Sequence, residues 1–217
     1  MIPHHLHHIW LGPKPVPMSL VRTWQDMHPG WEHSLWTEHE LEGLLLNRQA
    51  FDQYLAAGLW HGAANVARYE VVNMFGGVYV DMDTRPLRPL DRGPFMKPQV
   101  EFFAGYVQPR PARPGLIGNA YIGAISGHPV LVNAITHVSK LDRLVPPFRT
   151  SGVYGFTEAV EQHFGRQPLD EAVRIMPPHT FYPHSKEGDE APAGRGATYA
   201  EHLWGSTKVS SWEYPNE

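Results

Sequence analysis

In residues 61–83, HGAANVARYEVVNMFGGVYVDMD, a helical pattern runs directly into a strand pattern. From Ala63 to Phe75 there is neither proline nor glycine. Ala64, Ala67, Val71, Met74 and Phe75 recur at helical spacing and make one apolar face. Asn65 and Arg68, three residues apart, share another face. Gly76-Gly77 then stops the helix, since the residue past a helix end commonly takes positive φ. VYVDMD alternates as a strand does, with Val78, Val80 and Met82 to one side and Tyr79, Asp81 and Asp83 to the other. The stretch therefore predicts helix, glycine turn and strand, with two carboxylates where the strand ends.

The flanking segments extend this alternation. Upstream, HHLHHIWLG reads as a first strand stopped by glycine, and GPKPVP cannot be helix. SLVRTWQDMHPG reads as a short helix capped by Ser19, WEHSLWT as a second strand, and Glu38 to Gly58 as helix in pieces. Downstream, Thr84 to Pro89 holds two prolines and reads as a loop. VEFFAGY and AYIGAIS are strands separated by the proline-rich, basic loop QPRPARPG. HPVLVNAITHVSKL is a helix starting at Pro129, FTEAVEQHFG another helix, and AVRIMP a short strand. HSKEGDEAPAGRGA is polar and flexible in composition. The closing YAEHLWGSTKVSSWEYPNE carries two tryptophans and is expected to fold back onto the rest. Alternating strands and helices give an α/β class, in which ligands bind beyond the carboxyl ends of the strands. Asp81 and Asp83 lie at such an end.

The 217 residues fit one domain, 1–217. At 42% hydrophobic and 12% aromatic, the chain is not a disordered one. A net charge of −4 argues against a nonspecific nucleic-acid binder. The absence of cysteine excludes disulfide scaffolds, thiolate metal sites and cysteine nucleophiles. No run is long and apolar enough for a membrane span, and MIPHHLHHIWLG lacks the basic flank of a secretory signal. Gly-x-Ser-x-Gly and Gly-x-x-x-x-Gly-Lys are both missing, which removes support for a serine hydrolase or a P-loop kinase.

One residue apart in an extended segment, Asp81 and Asp83 point the same way, and two such charges repel unless a cation joins them. Oxygen ligands of this kind suit Mg²⁺ or Mn²⁺, ions that keep room for phosphate oxygens. A bare D-x-D is weak, since chance supplies roughly 0.3 such pairs in a chain of this aspartate content. Its context is more specific.

The string AANVARYEVVNMFGGVYVDMD resembles the core of the DXD-containing sugar-transferring glycosyltransferases, glycosyltransferase family 32. The opening from Ile2 to Gly12, the segment from Asn119 to Pro129, and the closing His202, Trp204, Ser211 and Trp212 also resemble that family, in order and nearly end to end. The resemblance implies a GT-A type fold, a single Rossmann-like domain with a central mixed sheet. It implies a retaining, metal-dependent transfer from a nucleotide sugar, UDP- or GDP-linked, to a glycan, lipid-linked or protein acceptor. Bacterial surface or capsular polysaccharide synthesis is the implied setting. A cytoplasmic location with peripheral membrane contact goes with it. Where many members carry Ser-Asp this chain has Ala64-Asn65, and Gly152-Val153 stands where Gly-Pro is frequent.

On this reading Asp81, Asp83 and Arg68 are the catalytic residues, and Asp81, Asp83 and His202 the ligands of Mn²⁺ or Mg²⁺. Trp10, Asn65, Arg68, Tyr79, Asp81 and Asn119 would bind the donor, and Trp204 and Trp212 would close the site or meet the acceptor. Each has a plainer alternative. Arg68 can be a solvated helix residue, Trp10 core, Tyr79 strand packing, Asn119 a turn cap, and His202 a support for the closing segment. His4, His5, His7 and His8 alternate between two strand faces, which disfavours a zinc site. Two other functions remain open: a non-catalytic nucleotide-sugar or glycan-binding domain on the same fold, and a metal-dependent phosphoryl hydrolase, for which Glu70 and Asp91 are the nearest further carboxylates.

Overall fold

The computed structural model describes residues 1–107, 115–141, 146–164, 171–185, 188 and 194–205. Its main sheet has six strands in the order β2-β1-β3-β6-β5-β7. These are β1 (His5–Ile9), β2 (Glu32–Trp36), β3 (Gly77–Val80), β5 (Phe102–Tyr106), β6 (Ile117–Ala124) and β7 (Val173–Met176). Only β6 runs against the others, so the sheet is mixed, and β1, β2, β3, β5 and β7 all end at one rim. A separate two-stranded ribbon pairs β4 (Thr84–Pro86) with β8 (Ala200–His202). The helices are α1 (Met18–Met27), α2 (Arg48–Ala56), α3 (Trp60–Phe75), α4 (Pro129–Ser139) and α5 (Val153–Phe164).

Side-chain alternation splits the sheet into two apolar faces. On one, Tyr79, Phe102 and Ile122 meet Val66, Ala67, Val72, Leu131 and Phe156 from helices α3, α4 and α5. On the other, Leu6, Val78, Val80, Phe103 and Tyr121 meet Trp24 of α1, Phe181, Tyr182 and Ala200. Burying each such side chain fully contributes about 1.5–3 kcal/mol, enough to fix which residues face which layer.

The turn from α3 into β3 takes glycine on two counts. Gly76 and Gly77 have φ of 64° and 95°. A Cβ on Gly77 would also stand 2.4 Å from the His5 carbonyl oxygen. This places β3 beside β1 and its end at the middle of the rim.

Three local expectations change. Ser19 lies inside α1, whose N-cap is Pro17 with no side-chain cap bond. Thr84 to Pro86 is a strand, not loop, because β8 supplies a partner from 116 residues away, pairing Thr84 with His202 and Arg85 with Glu201. The strand carrying the aspartates stops at Val80, and Asp81 to Thr84 forms a turn in which the Thr84 hydroxyl donates to the Asp81 carbonyl at 2.5 Å. The closing segment does fold back through β8; Ser211 and Trp212 lie outside the described residues.

Glu70 of α3 is buried and holds the segment leading into α2. Its carboxylate accepts from the Leu46 backbone N–H at 2.5 Å, and from the backbone N–H and side-chain amide of Asn47, both at 2.9 Å. Glu70→Ala strands these donors and is expected to cost about 3 kcal/mol. A urea unfolding series checks this as a fall in midpoint at constant m-value.

Candidate active site

Asp81 follows β3 directly, its N–H donating to the Ala120 carbonyl of β6 at 2.9 Å. The ribbon brings His202 to the turn, and the Leu203 N–H donates to the Asp83 carbonyl at 2.8 Å. His202 Nε2 then lies 3.6 Å from Asp81 Oδ2 and 3.5 Å from Asp83 Oδ1. Asp81, Asp83 and His202 each offer one ligand atom within 4.8 Å of the other two, the one group of three such residues among those described. Asp83 and His202 are buried and Asp81 is half-buried.

The two Asp81 oxygens have different neighbours. Oδ1 pairs with Arg68 Nη2 at 3.0 Å and accepts from the Tyr79 hydroxyl at 2.5 Å, which leaves Oδ2 facing His202. Burial alone would push the Asp81 carboxyl up, but the Arg68 guanidinium overcomes it and holds the group well below the usual carboxylate range. Arg68 is itself buried, with its charged form favoured by Asp81 despite that burial. Its Nη1 donates to the Asn119 carbonyl at 2.7 Å, its Nε to the Ala64 carbonyl at 3.2 Å, and its guanidinium carbon sits 4.5 Å from the Tyr79 ring centroid. All three nitrogens thus have partners inside the protein, so the solvated-helix alternative for Arg68 is removed.

Asn65 and Asn119 meet. The Asn119 amide donates to Asn65 Oδ1 at 3.0 Å and to the Tyr69 hydroxyl at 2.9 Å. The Tyr69 hydroxyl donates to the Ser151 carbonyl at 2.6 Å. Trp10 stands just past β1 on the same rim, half-buried, with its indole N–H on the Lys14 carbonyl at 2.7 Å. Trp204 packs on His202 with ring centroids 4.4 Å apart, and its indole N–H donates to the His184 carbonyl at 2.9 Å. Its φ of 60° is a left-handed conformation that costs a tryptophan free energy.

Tyr69, Ser151 and Tyr182 were not singled out by the sequence. Tyr69 had a readable signal, standing four residues after Asn65 on the same helix face. Ser151 and Tyr182 had none, since each arrives from a distant loop. His5 and His7 lie side by side with ring centroids 4.0 Å apart, but His4 stacks on Trp31 and His8 lies on the opposite face, so the four amino-terminal histidines do not converge on one point. Glu70 is spent on backbone amides and does not join the aspartates.

The two carboxylates suit a hard divalent ion. His202 suits it after one change. Its Nδ1 accepts from the Trp204 N–H at 3.0 Å, which places the proton of a neutral ring on Nε2. Ligation through Nε2 requires that bond to be released.

A mixed sheet of this order, with paired aspartates at its carboxyl rim, defines a GT-A type fold. Residues 16–100 match the family described as "Glycosyltransferase sugar-binding region containing DXD motif", which bears out the resemblance read from the sequence. Among solved structures, "PaToxG Glycosyltransferase" superposes with a TM-score of 0.61 at 17% identity, covering 76% of this chain and 70% of that one. Among curated relatives, "Inositol phosphoceramide mannosyltransferase 3" of Schizosaccharomyces pombe is 26% identical over 64% of this chain and 38% of its own length. "Mannosyl phosphorylinositol ceramide synthase SUR1" of Saccharomyces cerevisiae is 25% identical over 74% of this chain and 42% of its own length. The chain thus spans less than half the length of these two relatives. No helix among the described residues is long and apolar enough to cross a membrane.

Proposed function

We propose that this chain is a metal-dependent glycosyltransferase that moves a sugar from a UDP- or GDP-linked donor to a lipid-linked acceptor. The observation that carries the reading is the convergence of Asp81, Asp83 and His202 at the rim where this fold binds ligands. The acceptor class comes from the two fungal relatives, both named for inositol phosphoceramide chemistry. Retention of anomeric configuration follows the family resemblance, as does a cytoplasmic, bacterial polysaccharide setting.

In the transfer, the bond between the sugar's anomeric carbon and the β-phosphate oxygen breaks with its electron pair left on that oxygen, an acceptor hydroxyl bonds to the carbon, and the hydroxyl's proton passes to the departing diphosphate. Asp83, with Asp81 through Oδ2 and His202 once released from Trp204, would hold Mn²⁺ or Mg²⁺. The ion would supply charge neutralisation for the departing diphosphate. Arg68 and Tyr79 fix Asp81 in one rotamer and keep it ionised, so Arg68 acts as an anchor more than as a phosphate fork. Asn119, whose amide N–H groups go to Asn65 and Tyr69, would offer its Oδ1 to a sugar hydroxyl, Asn65 would offer its remaining amide N–H, and Trp10 would stack on the base. Trp204 and Trp212 would close over the donor or meet the acceptor.

Thermal unfolding with UDP or GDP plus Mn²⁺ tests the reading. Ligand at a hundredfold its Kd stabilises the folded state by about 2.7 kcal/mol, or roughly 5–10 °C in midpoint for a chain of this size. One base is expected to give this shift only when Mn²⁺ is present. No shift with either nucleotide, with or without the ion, would overturn the proposal.

A further inference from the structure

All three residues of the acidic cluster are joined to Thr84. Its hydroxyl donates to the Asp81 carbonyl at 2.5 Å, Asp83 precedes it in the chain, and it pairs with His202 in the ribbon of β4 and β8. Thr84 is fully buried, and what fixes it lies outside the turn. The indole N–H of Trp24, in α1, is shared between the Thr84 carbonyl oxygen at 3.3 Å and the hydroxyl oxygen at 3.2 Å. The hydroxyl thus accepts from Trp24 and donates to Asp81, which links α1 to the backbone of the first aspartate. His202 is backed separately by Tyr182, with ring centroids 6.0 Å apart and planes at 25°.

Trp24 is itself held in place. It is buried, its ring lies on that of His28 with centroids 5.6 Å apart and planes at 14°, and the rings of His8 and Tyr121 each have their centroids 6.4 Å away. His28 grips the chain further on. Its Nε2 accepts from the Leu90 N–H at 2.9 Å, which puts the proton of a neutral ring on Nδ1, the donor to the Trp24 carbonyl at 2.9 Å. Side chains one helical turn apart therefore fasten both Thr84 and Leu90 to α1. A phenylalanine at position 24 would keep an aromatic ring there, but only the indole supplies a donor to Thr84. Mg²⁺ takes oxygen ligands at about 2.0–2.1 Å in near-octahedral geometry, so small shifts of Asp81 or Asp83 cost affinity. Partners that orient the ligands typically carry about 10–100-fold in metal affinity.

We infer that Thr84 and Trp24 are positioning residues for the metal site: the indole N–H fixes the Thr84 hydroxyl, and through it the turn that presents Asp81, Asp83 and His202 to one ion. The inference rests on the metal-dependent reading above, and the test separates the two. Mn²⁺ is titrated into the protein with UDP or GDP present, its binding is followed by water-proton relaxation, and urea unfolding is measured alongside. Thr84→Val keeps the branched shape and removes the hydroxyl, and is expected to weaken Mn²⁺ binding about tenfold or more. Thr84→Ser restores the hydroxyl and is expected to stay within about threefold of the parent. Trp24→Phe removes only the N–H end of the ring system, tests the link from the α1 side, and is expected to weaken Mn²⁺ about threefold or more. Binding of UDP or GDP without Mn²⁺ is expected to be unchanged in all three. A residue that serves packing alone would lower the unfolding midpoint and leave the Mn²⁺ Kd of the folded protein as it was. Parental Mn²⁺ affinity in either Thr84→Val or Trp24→Phe, or equal weakening in Thr84→Ser and Thr84→Val, would therefore overturn the assignment. Absence of Mn²⁺ binding in the parent protein would instead overturn the metal-dependent reading on which it rests.

Discussion

Asp83→Ala is expected to lower sugar transfer by about a thousandfold or more while the protein still unfolds in one cooperative step. A factor of a thousand corresponds to about 4 kcal/mol of transition-state stabilisation, within what a bound ion supplies to a departing diphosphate. Asp83 has a buried carboxylate whose side-chain neighbour in the cluster is His202 at 3.5 Å. Without an ion, removing it takes away both an attraction to His202 and a repulsion with Asp81, which oppose each other, so the fall in unfolding midpoint is expected to be far smaller than the loss of activity. Arg68→Lys is expected to behave differently. Lysine cannot reach Asp81, the Asn119 carbonyl and the Ala64 carbonyl together, as the guanidinium does. Activity and unfolding midpoint should therefore both fall. Turnover and urea denaturation of the two variants, measured side by side, check the contrast. Wild-type turnover in Asp83→Ala would remove the acidic cluster from the chemistry.

The parts of this site that lie close in sequence were legible, and the parts assembled from afar were not. Helix, glycine turn and strand could be read from residues 61–83 because each is set by local sterics and periodicity. The aspartates converge for a reason that alternation did not give. They sit on a turn held by Thr84, not on the pleat of one strand. That turn is stabilised by β8, and no local pattern announces that Thr84 will pair with His202. The partner of Arg68 was hidden in the same way. Helical spacing put it on the Asn65 face, but only the packing of α3 on β3 shows its charge spent on Asp81. Tyr182, which backs His202, comes from a short irregular segment that no periodicity marks.

Acidification is expected to destabilise the protein steeply between about pH 6.5 and pH 4, and the largest contribution comes from β1. Burial pushes the His7 imidazole down to about 3, with His5 and His8 nearby adding to the effect against the favourable Gly76 carbonyl. The ring is fixed in a neutral form, since Nδ1 accepts from the Trp36 indole N–H at 3.2 Å and Nε2 lies 2.8 Å from the Gly76 carbonyl oxygen. His8 on the opposite face is held down to about 4 by burial and by His33, with Asp81 pulling weakly the other way. Both folded values lie below the unfolded value near 6.5, so below that pH the unfolded chain binds more protons. Their contribution is intact above pH 6.5 and is lost as pH falls toward the folded values. At pH 5 each ring has lost about 2 kcal/mol, a large part of the roughly 5–15 kcal/mol that holds a domain folded. Asp81, held below the usual carboxylate range by Arg68, adds to the loss only below about pH 4 and so falls outside this window. Urea unfolding at pH 7.5, 6 and 5 should show stability falling with a slope of two protons or more, since burial also holds His5, His28 and His61 below the usual imidazole value. His8→Met, which keeps the bulk and removes the titration, should lower that slope by about one proton. A flat profile across this range in the parent protein would mean that these rings take up protons without unfolding it.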